Sequence, residues 1–515
     1  MKDKKAACRN LWISLGLIGG NLLFFLTIWL ANKYDDVSLD QFVYQMKSSA
    51  AGANRSIAGS AVFRVGVFGL GAAALEMFVY LISSGYFREQ LKRHPLYIKF
   101  RRTRVSGFIA RRAVSLAMAV LMLSVCFFTL RLDVISYVDA MTTDSDFIEN
   151  HYADPNHVDL RFPEQKRNLI YIFLESMEVT FSDPAAGGLI YDNYIPELTA
   201  LAEENVNFSH TTGVGGALPY VGTTWTAAAM VTQTSGVIVQ VPLTAGDFGG
   251  ENEYIPGLVS IGELLQRQGY NQTLLVGSDA EFAGRDAYFR EHGNYNIVDI
   301  DSLKAEGRLP EDYREWWGFE DEKLYAFAKE ELTKLADSGE PFNFTMLTCD
   351  SHFPDGYVCR LCADEYEEQY PNVLRCSSRQ LGAFIKWIQA QPFYENTTIV
   401  ISGDHLTMDP DFLADVNEDY VRTIYNCIIN SAVEPVKEKN RSFGTFDMFP
   451  TTLAALGVQI PGNRLGLGTN LFSDAKTLTE MYGFERLDQE LQYNSDFYND
   501  TFLQMEGVQK AFGGR

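Results

Sequence analysis

Apolar positions along the chain follow two different rhythms, and the change between them divides the sequence. Leu11 to Ala31 carries no formal charge and is long enough to cross a bilayer core of roughly 30 Å as a helix. Two further runs of this kind, about Val65–Tyr86 and Ala113–Leu130, are apolar and rich in Gly and Ala, with Glu76 the one charge inside them. From Asn168 onward the runs shorten and alternate with helical patterns. Leu169–Leu174 is continuously apolar, as a strand buried on both faces must be. Ile195–Asn205 reads as a helix before a strand at Val206–His210, and Ile261–Gln268 as a helix before a strand at Thr273–Val276. Lys323–Asp337 reads as a helix before a strand at Phe342–Thr348, and Leu381–Ala390 as a helix before a strand at Thr398–Ser402. Strands alternating with helices predict an α/β fold whose mixed, mostly parallel sheet is flanked by helices and preceded by a bundle of three transmembrane helices.

Charge sharpens the division. Residues 1–131 hold 18 Lys and Arg against 6 Asp and Glu, leaving 25 against 60 for the remainder. Residues 1–131 therefore read as a membrane anchor, 132–166 as an acidic juxtamembrane linker, and 167–515 as the catalytic domain. Lys2, Lys4, Lys5 and Arg9 precede the first span, which is too long for a signal peptide and lacks a small-residue cleavage site. The segment Phe87–Arg112 carries nine Lys and Arg against Glu89 alone. The positive-inside bias then puts both basic segments in the cytoplasm and the domain after the third span outside it. Glu76 is costly in lipid; it is either functional or packed against polar groups of a neighbouring helix. An acidic catalytic half excludes nucleic acid as substrate, which calls for a basic stripe. No GxxxxGK[ST] loop and no GxGxxG after a strand support nucleotide chemistry.

In open α/β sheets chemistry gathers beyond the carboxyl ends of the strands. Glu175 follows the first strand at once, and Asp404-His405 follow the strand Thr398–Ser402, so two carboxylates and an imidazole at neighbouring strand ends make a candidate divalent-metal site. Read alone, an Asp-His pair after a strand serves equally well as a helix cap. The segment Gly222-Thr223-Thr224-Trp225-Thr226-Ala227-Ala228-Ala229-Met230 turns from loop to strong helix former. A hydroxyl there is either an N-cap or a nucleophile favoured by the helix dipole.

These residues carry a resemblance. Strand-Glu175, Gly222-Thr223-x-x-Thr226, Ser351-His352-Phe353-Pro354 and Gly403-Asp404-His405 together resemble the lipoteichoic acid synthase/phosphoglycerol transferase family of the alkaline phosphatase/sulfatase superfamily. Ile195-Pro196-Glu197-Leu198, Asp447-Met448-Phe449-Pro450-Thr451-Thr452 and Gly466-Leu467-Gly468 add to the likeness, which covers roughly residues 165–475. The resemblance implies a sulfatase-like fold and one divalent cation, Mn2+ first with Mg2+ or Zn2+ as alternatives, held by Glu175, Thr223, Asp404 and His405. It implies Thr223 as nucleophile, aligned with the first position of the sulfatase Cys-x-Pro-Ser-Arg pattern, with Thr224 the alternative if the register slips by one. Thr226, Arg285 and His352 become substrate-binding residues, and His352 also the catalytic acid or base. Ala227 stands where a sulfatase has Arg, and a threonine cannot become a formylglycine, so sulfate ester hydrolysis is disfavoured.

Within the family, Thr348-Cys349-Asp350-Ser351-His352-Phe353-Pro354-Asp355-Gly356-Tyr357 and the cysteine-containing insert after it resemble the periplasmic-glucan phosphoglycerol transferases. That likeness implies phosphatidylglycerol as lipid donor, a glycan or polyglycerolphosphate acceptor, diacylglycerol as product, and residence in a bacterial cytoplasmic membrane with the catalytic domain periplasmic or extracellular. A phosphoethanolamine transferase, a phosphodiesterase sharing every catalytic residue, and a degenerate binder of lipid head groups or glycans are the alternatives. Cys359, Cys362 and Cys376 share one polar insert, where an oxidising compartment favours a disulfide, whereas Cys349 and Cys427 fall in apolar strands and read as buried thiols.

Overall fold

The computed structural model describes residues 2–34, 38–49, 59–242, 246, 248, 253–409, 412–413 and 419–504. It divides into two compact units, Met1–Leu39 with Asn54–Val138, and Asp40–Ala53 with Asp139–Arg515.

In the first unit three helices, Ala6–Lys33, Gly59–Ser84 and Arg104–Arg131, are long and apolar enough to cross a membrane. Small residues let them approach closely, as packing between long apolar helices requires. A Cβ at Gly20 would lie 2.9 Å from the Leu121 backbone, and one at Gly16, a turn away, 3.2 Å from the Ala117 Cβ. Glu76 takes the quieter of its two readings, since Asn21 of the first helix donates a 2.8 Å hydrogen bond to its Oε2.

The second unit is built on a seven-stranded sheet in the order β2-β7-β6-β1-β5-β3-β4. The strands are β1 Asn168–Leu174, β2 Gly216–Ala217, β3 Asn271–Val276, β4 Asn296–Val298, β5 Phe342–Leu347, β6 Thr397–Gly403 and β7 Ile424–Ile429. β4, β3, β5, β1 and β6 run parallel, while β7 and β2 add an antiparallel edge. Every residue of β1 is buried, and alternation sends Leu169, Tyr171 and Phe173 into one core and Ile170, Ile172 and Leu174 into the other. Helices Thr226–Ser235 and Met448–Ala455 cover the first face; Pro196–Glu204, Asp321–Asp337 and Gln369–Gln389 cover the second. The expected strand Val206–His210 makes only isolated bridges, through Val206 and Ser209, because its Asn207 side chain binds the Gly215 and Asn426 carbonyls.

Two segments outside the expected domain are built into this unit. Phe147 and Ile148, from the stretch read as a linker, lie in its core, and Ala153 and Arg161 bridge Gly466 and Gln459. The helix Leu39–Lys47, between the first two apolar helices in sequence, seats Tyr44 in the same core.

Candidate active site

The parallel pairing of β1 and β6 brings Leu174 beside Gly403, so the residues that follow, Glu175 and Asp404-His405, leave the sheet together. Backbone bonds fix the junction. The Asp404 N–H donates to the Leu174 carbonyl at 3.1 Å, and the N–H groups of Ser176 and His405 both donate to Asp404 Oδ1, at 2.8 and 2.7 Å. Ser176 has φ +53°, a left-handed conformation that turns the chain sharply after Glu175. His405 pairs Nδ1 with the Leu406 carbonyl at 2.7 Å, leaving Nε2 to face Asp404 Oδ2 at 3.4 Å and Glu175 Oε1 at 3.7 Å.

One ligand atom from each of Glu175, Asp404 and His405 falls within 4.8 Å of the others, and all three residues are buried. Asp404 Oδ2 is buried without any hydrogen bond, an arrangement that a neutral protein interior penalises and a cation relieves. Burial, then the neighbouring Glu175, pushes the Asp404 carboxyl up to about 7. Burial opposes charging of His405, yet Asp404 and Glu175 outweigh it and raise its pKa. Two carboxylates, an imidazole and no thiolate are the donor set of a divalent cation. The residues fit such an ion.

The hydroxyl that reaches this group belongs to Thr226. Its Oγ1 lies 3.4 Å from Glu175 Oε2 and 3.3 Å from His405 Nε2. Thr226 opens the helix Thr226–Ser235 after Trp225, which is extended (φ −137°, ψ 155°) and offers no side-chain cap. The first-turn N–H groups therefore lack intrahelical acceptors and point toward the same space. Gln233, two turns on, ties the helix to the sheet: its amide donates to the Gly403 carbonyl at 2.9 Å and accepts from the Tyr171 hydroxyl at 2.9 Å. Thr223 has a different task. Its hydroxyl donates to the Tyr220 carbonyl at 2.7 Å and accepts from the Tyr220 N–H at 3.1 Å, closing a turn in which it is fully buried. Thr223, expected as nucleophile and metal ligand, thus has its donor engaged by backbone in this structure, and the hydroxyl that meets the carboxylates and imidazole is that of Thr226.

Arg285 is buried at the start of the helix Arg285–Glu291. Nε donates to the Phe282 carbonyl at 3.0 Å, and Nη2 donates to Ser278 Oγ at 2.9 Å and to the Asp279 carbonyl at 2.7 Å. Nη1 has no hydrogen-bond partner among the described residues, so half of the planar fork stays open for an anion. Burial lowers its pKa while Glu175 and Tyr44 act the other way. His352 pairs Nδ1 with the Phe353 carbonyl at 2.6 Å and packs 4.6 Å from the Trp317 ring. Burial, with His405 and Arg285 adding to it, takes its pKa down to about 4, so the ring is neutral at pH 7.

Two supports escaped the sequence reading. Asp321 accepts from the N–H groups of Cys349 and Asp350, at 2.8 and 3.2 Å, and its own N–H donates to Asp350 Oδ1 at 3.2 Å. Burial raises both carboxyls, Asp321 to about 7 and Asp350, with Asp321 repelling it as well, to about 10, so this pair holds a proton at neutral pH and pins the loop that carries His352. Glu178, also buried, receives Arg422 at 2.9 and 2.6 Å and the Thr407 N–H at 3.1 Å, securing the chain just after His405. The Asp350 in Asp350-Ser351-His352 was the available signal for the first; nothing local marks the second. The cysteine insert gathers three free thiols, with Cys359 Sγ 3.7 Å from that of Cys362 and 3.8 Å from that of Cys376.

The sulfatase family model matches residues 167–458. Phosphoglycerol transferase I of Salmonella choleraesuis is 31% identical over 346 residues, covering 66% of this chain and 43% of that protein. Its namesake in Escherichia fergusonii is 27% identical over 488 residues, 92% of this chain and 59% of that protein. The chain thus spans about half the length of these relatives. Among solved structures, an alkaline phosphatase superfamily protein from Vibrio parahaemolyticus is 21% identical with a TM-score of 0.48, over 65% of this chain and 79% of that one. The lipoteichoic acid synthase LtaP from Listeria monocytogenes is 19% identical with a TM-score of 0.46, over 64% and 80%.

Proposed function

The chain belongs to the sulfatase family, and on that footing we propose that it is a metal-dependent phosphoglycerol transferase acting through Thr226. Phosphatidylglycerol is the donor, and a glycan or polyglycerolphosphate hydroxyl outside the cytoplasm is the acceptor. The observation that carries this reading is the Thr226 hydroxyl, 3.4 and 3.3 Å from Glu175 and His405 at a helix N-terminus. Similarity to proteins named phosphoglycerol transferase I supports the choice of group transferred.

Glu175, Asp404, His405 and Thr226 would hold the cation, most simply Mn2+, which supplies Lewis acidity at the phosphoryl oxygens. The residues divide the remaining work. Thr226 Oγ1 gives up its proton and attacks phosphorus; the bond from phosphorus to the diacylglycerol oxygen breaks, and diacylglycerol leaves with a proton. In the second half the acceptor hydroxyl attacks phosphorus, the bond to Thr226 breaks, and Thr226 recovers its proton. Arg285 Nη1 and the first-turn N–H groups of the Thr226 helix donate to phosphoryl oxygens as negative charge builds. Neutral His352, with Nδ1 engaged by a carbonyl, presents Nε2 as an acceptor for a substrate hydroxyl. The basic residues before the first apolar helix and between the second and third support an extracytoplasmic placement.

The test is mass spectrometry of protein incubated with Mn2+ and phosphatidylglycerol, beside Thr226→Ala and Thr223→Ala. A glycerophosphate adduct on the peptide holding Thr226, lost in Thr226→Ala and kept in Thr223→Ala, is the expected result. An adduct surviving in Thr226→Ala would return the role to another hydroxyl. Metal-loaded protein giving neither adduct nor diacylglycerol would remove phosphatidylglycerol as donor.

A further inference from the structure

The turn that aims Arg285 is an unusual piece of backbone. Ala283 (φ +59°, ψ 22°) and Gly284 (φ +72°, ψ 18°) are consecutive left-handed residues immediately before Arg285. Glycine takes that conformation freely, but an alanine pays for it and keeps it only where surrounding contacts impose it. The contacts on Ala283 come from far away in sequence. Its carbonyl accepts a 2.7 Å hydrogen bond from the Tyr44 hydroxyl, and its N–H donates to the Ser49 carbonyl at 3.3 Å. Both polar groups of one strained residue are therefore held by the segment between the first two apolar helices.

That segment is itself firmly seated. Tyr44 is fully buried, and its hydroxyl lies 2.6 Å from that of Tyr254. Its ring sits 5.2 Å from Trp225, the residue before Thr226, and 5.1 Å from Phe248. The Phe248 N–H donates to the Lys47 carbonyl at 3.0 Å, and the Ser49 hydroxyl donates to Glu281 at 3.2 Å. Gln41 reaches Met408 Sδ at 3.5 Å, three residues beyond His405. One short segment thus touches the loops bearing Arg285, Thr226 and His405.

We propose that residues 40–49 are a working part of the active site, in which Tyr44 is a positioning residue that clamps Ala283 and thereby sets the open Nη1 of Arg285 toward the transferred phosphoryl group. The role rests on the phosphoglycerol-transfer reading for its substrate, although the clamp concerns any phosphoryl anion. Tyr44 touches no reacting atom; it acts through Arg285.

The test is a cycle in the full-length Mn2+-loaded protein, using Tyr44→Phe, which keeps the ring, Ala283→Gly, which removes the strain, and Arg285→Ala. Two readouts are taken: diacylglycerol release from phosphatidylglycerol vesicles, and inorganic phosphate binding by calorimetry. Tyr44→Phe is expected to lower kcat/KM and phosphate affinity about tenfold, as loss of a hydrogen bond that fixes geometry does. Adding Ala283→Gly to Tyr44→Phe should recover most of both, because glycine needs no clamp. In an Arg285→Ala background Tyr44→Phe should add nothing. The clamp is overturned if Tyr44→Phe matches wild type in both readouts, if Ala283→Gly rescues neither, or if phosphate binding is indifferent to Arg285. Phosphate binding that follows the expected pattern in protein that releases no diacylglycerol would keep the clamp and reject the donor.

Discussion

Two halves of the site are held in place by different means. The carboxylate–imidazole half, Glu175, Asp404 and His405, is delivered by the ends of two adjacent parallel strands, and the pairing of Leu174 with Gly403 alone brings its members together. The half expected to face substrate, Arg285 and His352, stands on turns pinned by partners distant in sequence: Tyr44 and Ser49 for one, the Asp321–Asp350 pair for the other. A sheet register tolerates change at its surface, because the whole ladder resists displacement. A turn held by one or two bonds has no such reserve. Thr226 sits between these regimes, on a helix moored to the sheet through Gln233 yet begun by an irregular loop.

The largest effect that would sharpen this contrast concerns the hydroxyl. Thr226→Ala should lower turnover by about three orders of magnitude or more, since an activated nucleophile has no substitute nearby. Thr223→Ala should instead lower the melting temperature and leave most of kcat, because it breaks only a turn; comparable kcat losses in the two variants would return Thr223 to the chemistry. Next comes the support behind His405. Arg422→Ala strands the buried Glu178 carboxylate and should cost about 3 kcal/mol, read as a lower melting temperature, whereas Glu178→Gln should cost less. Equal stability of Arg422→Ala and wild type would mean that Glu178 finds other compensation.

The third effect depends on pH. Asp321 and Asp350 both titrate higher in the folded protein than in an unfolded chain, near 3.9. The folded state therefore holds the extra proton, and the pair's contribution to stability falls as pH rises from about 4 through 7 and above. Asp350→Asn replaces the proton-bearing partner with a permanently neutral one. Its melting temperature relative to wild type should rise by a few degrees between pH 5 and pH 8, and a pH-independent difference would break the pairing assigned here. The smallest effect belongs to Ala283→Gly alone, which exchanges strain for unfolded-state entropy and should move stability by less than about 1 kcal/mol.

This contrast also explains what the sequence disclosed. β1 announced itself as a continuous apolar run because a parallel strand buried on both faces can contain little else, while β5 and β6, interrupted by Asn343, Thr345 and Ser402, were legible as short apolar stretches following helical patterns. Glu175, Asp404 and His405 were legible for the same reason, each standing directly after such a run. β2 and β4, two and three residues long, leave no period to detect. Thr223 and Thr226 are separated by less than one helical turn, so the choice between them depends on where the helix begins. That start is set by an extended Trp225 and not by any capping side chain. A hydroxyl placed immediately before Ala227-Ala228-Ala229 was the usable sign. Leu39–Lys47 offered none, because a short amphipathic helix between two apolar runs is written the same whether it lies free or docks.

The seat of Tyr44 changes what counts as a separable piece. A fragment cut after the third apolar helix would retain Glu175, Thr226, Arg285, His352, Asp404 and His405. It would nonetheless lose one wall: Trp225, Phe248 and Tyr254, all packed against Tyr44 or bonded to it, would meet water. Chain order invites a boundary after the third apolar helix, but the compact unit that holds these residues also takes in a segment from between the first two apolar helices. That unit is therefore discontinuous in sequence, and an excised version of it would need residues 40–49 supplied as a separate strap or joined back by a linker.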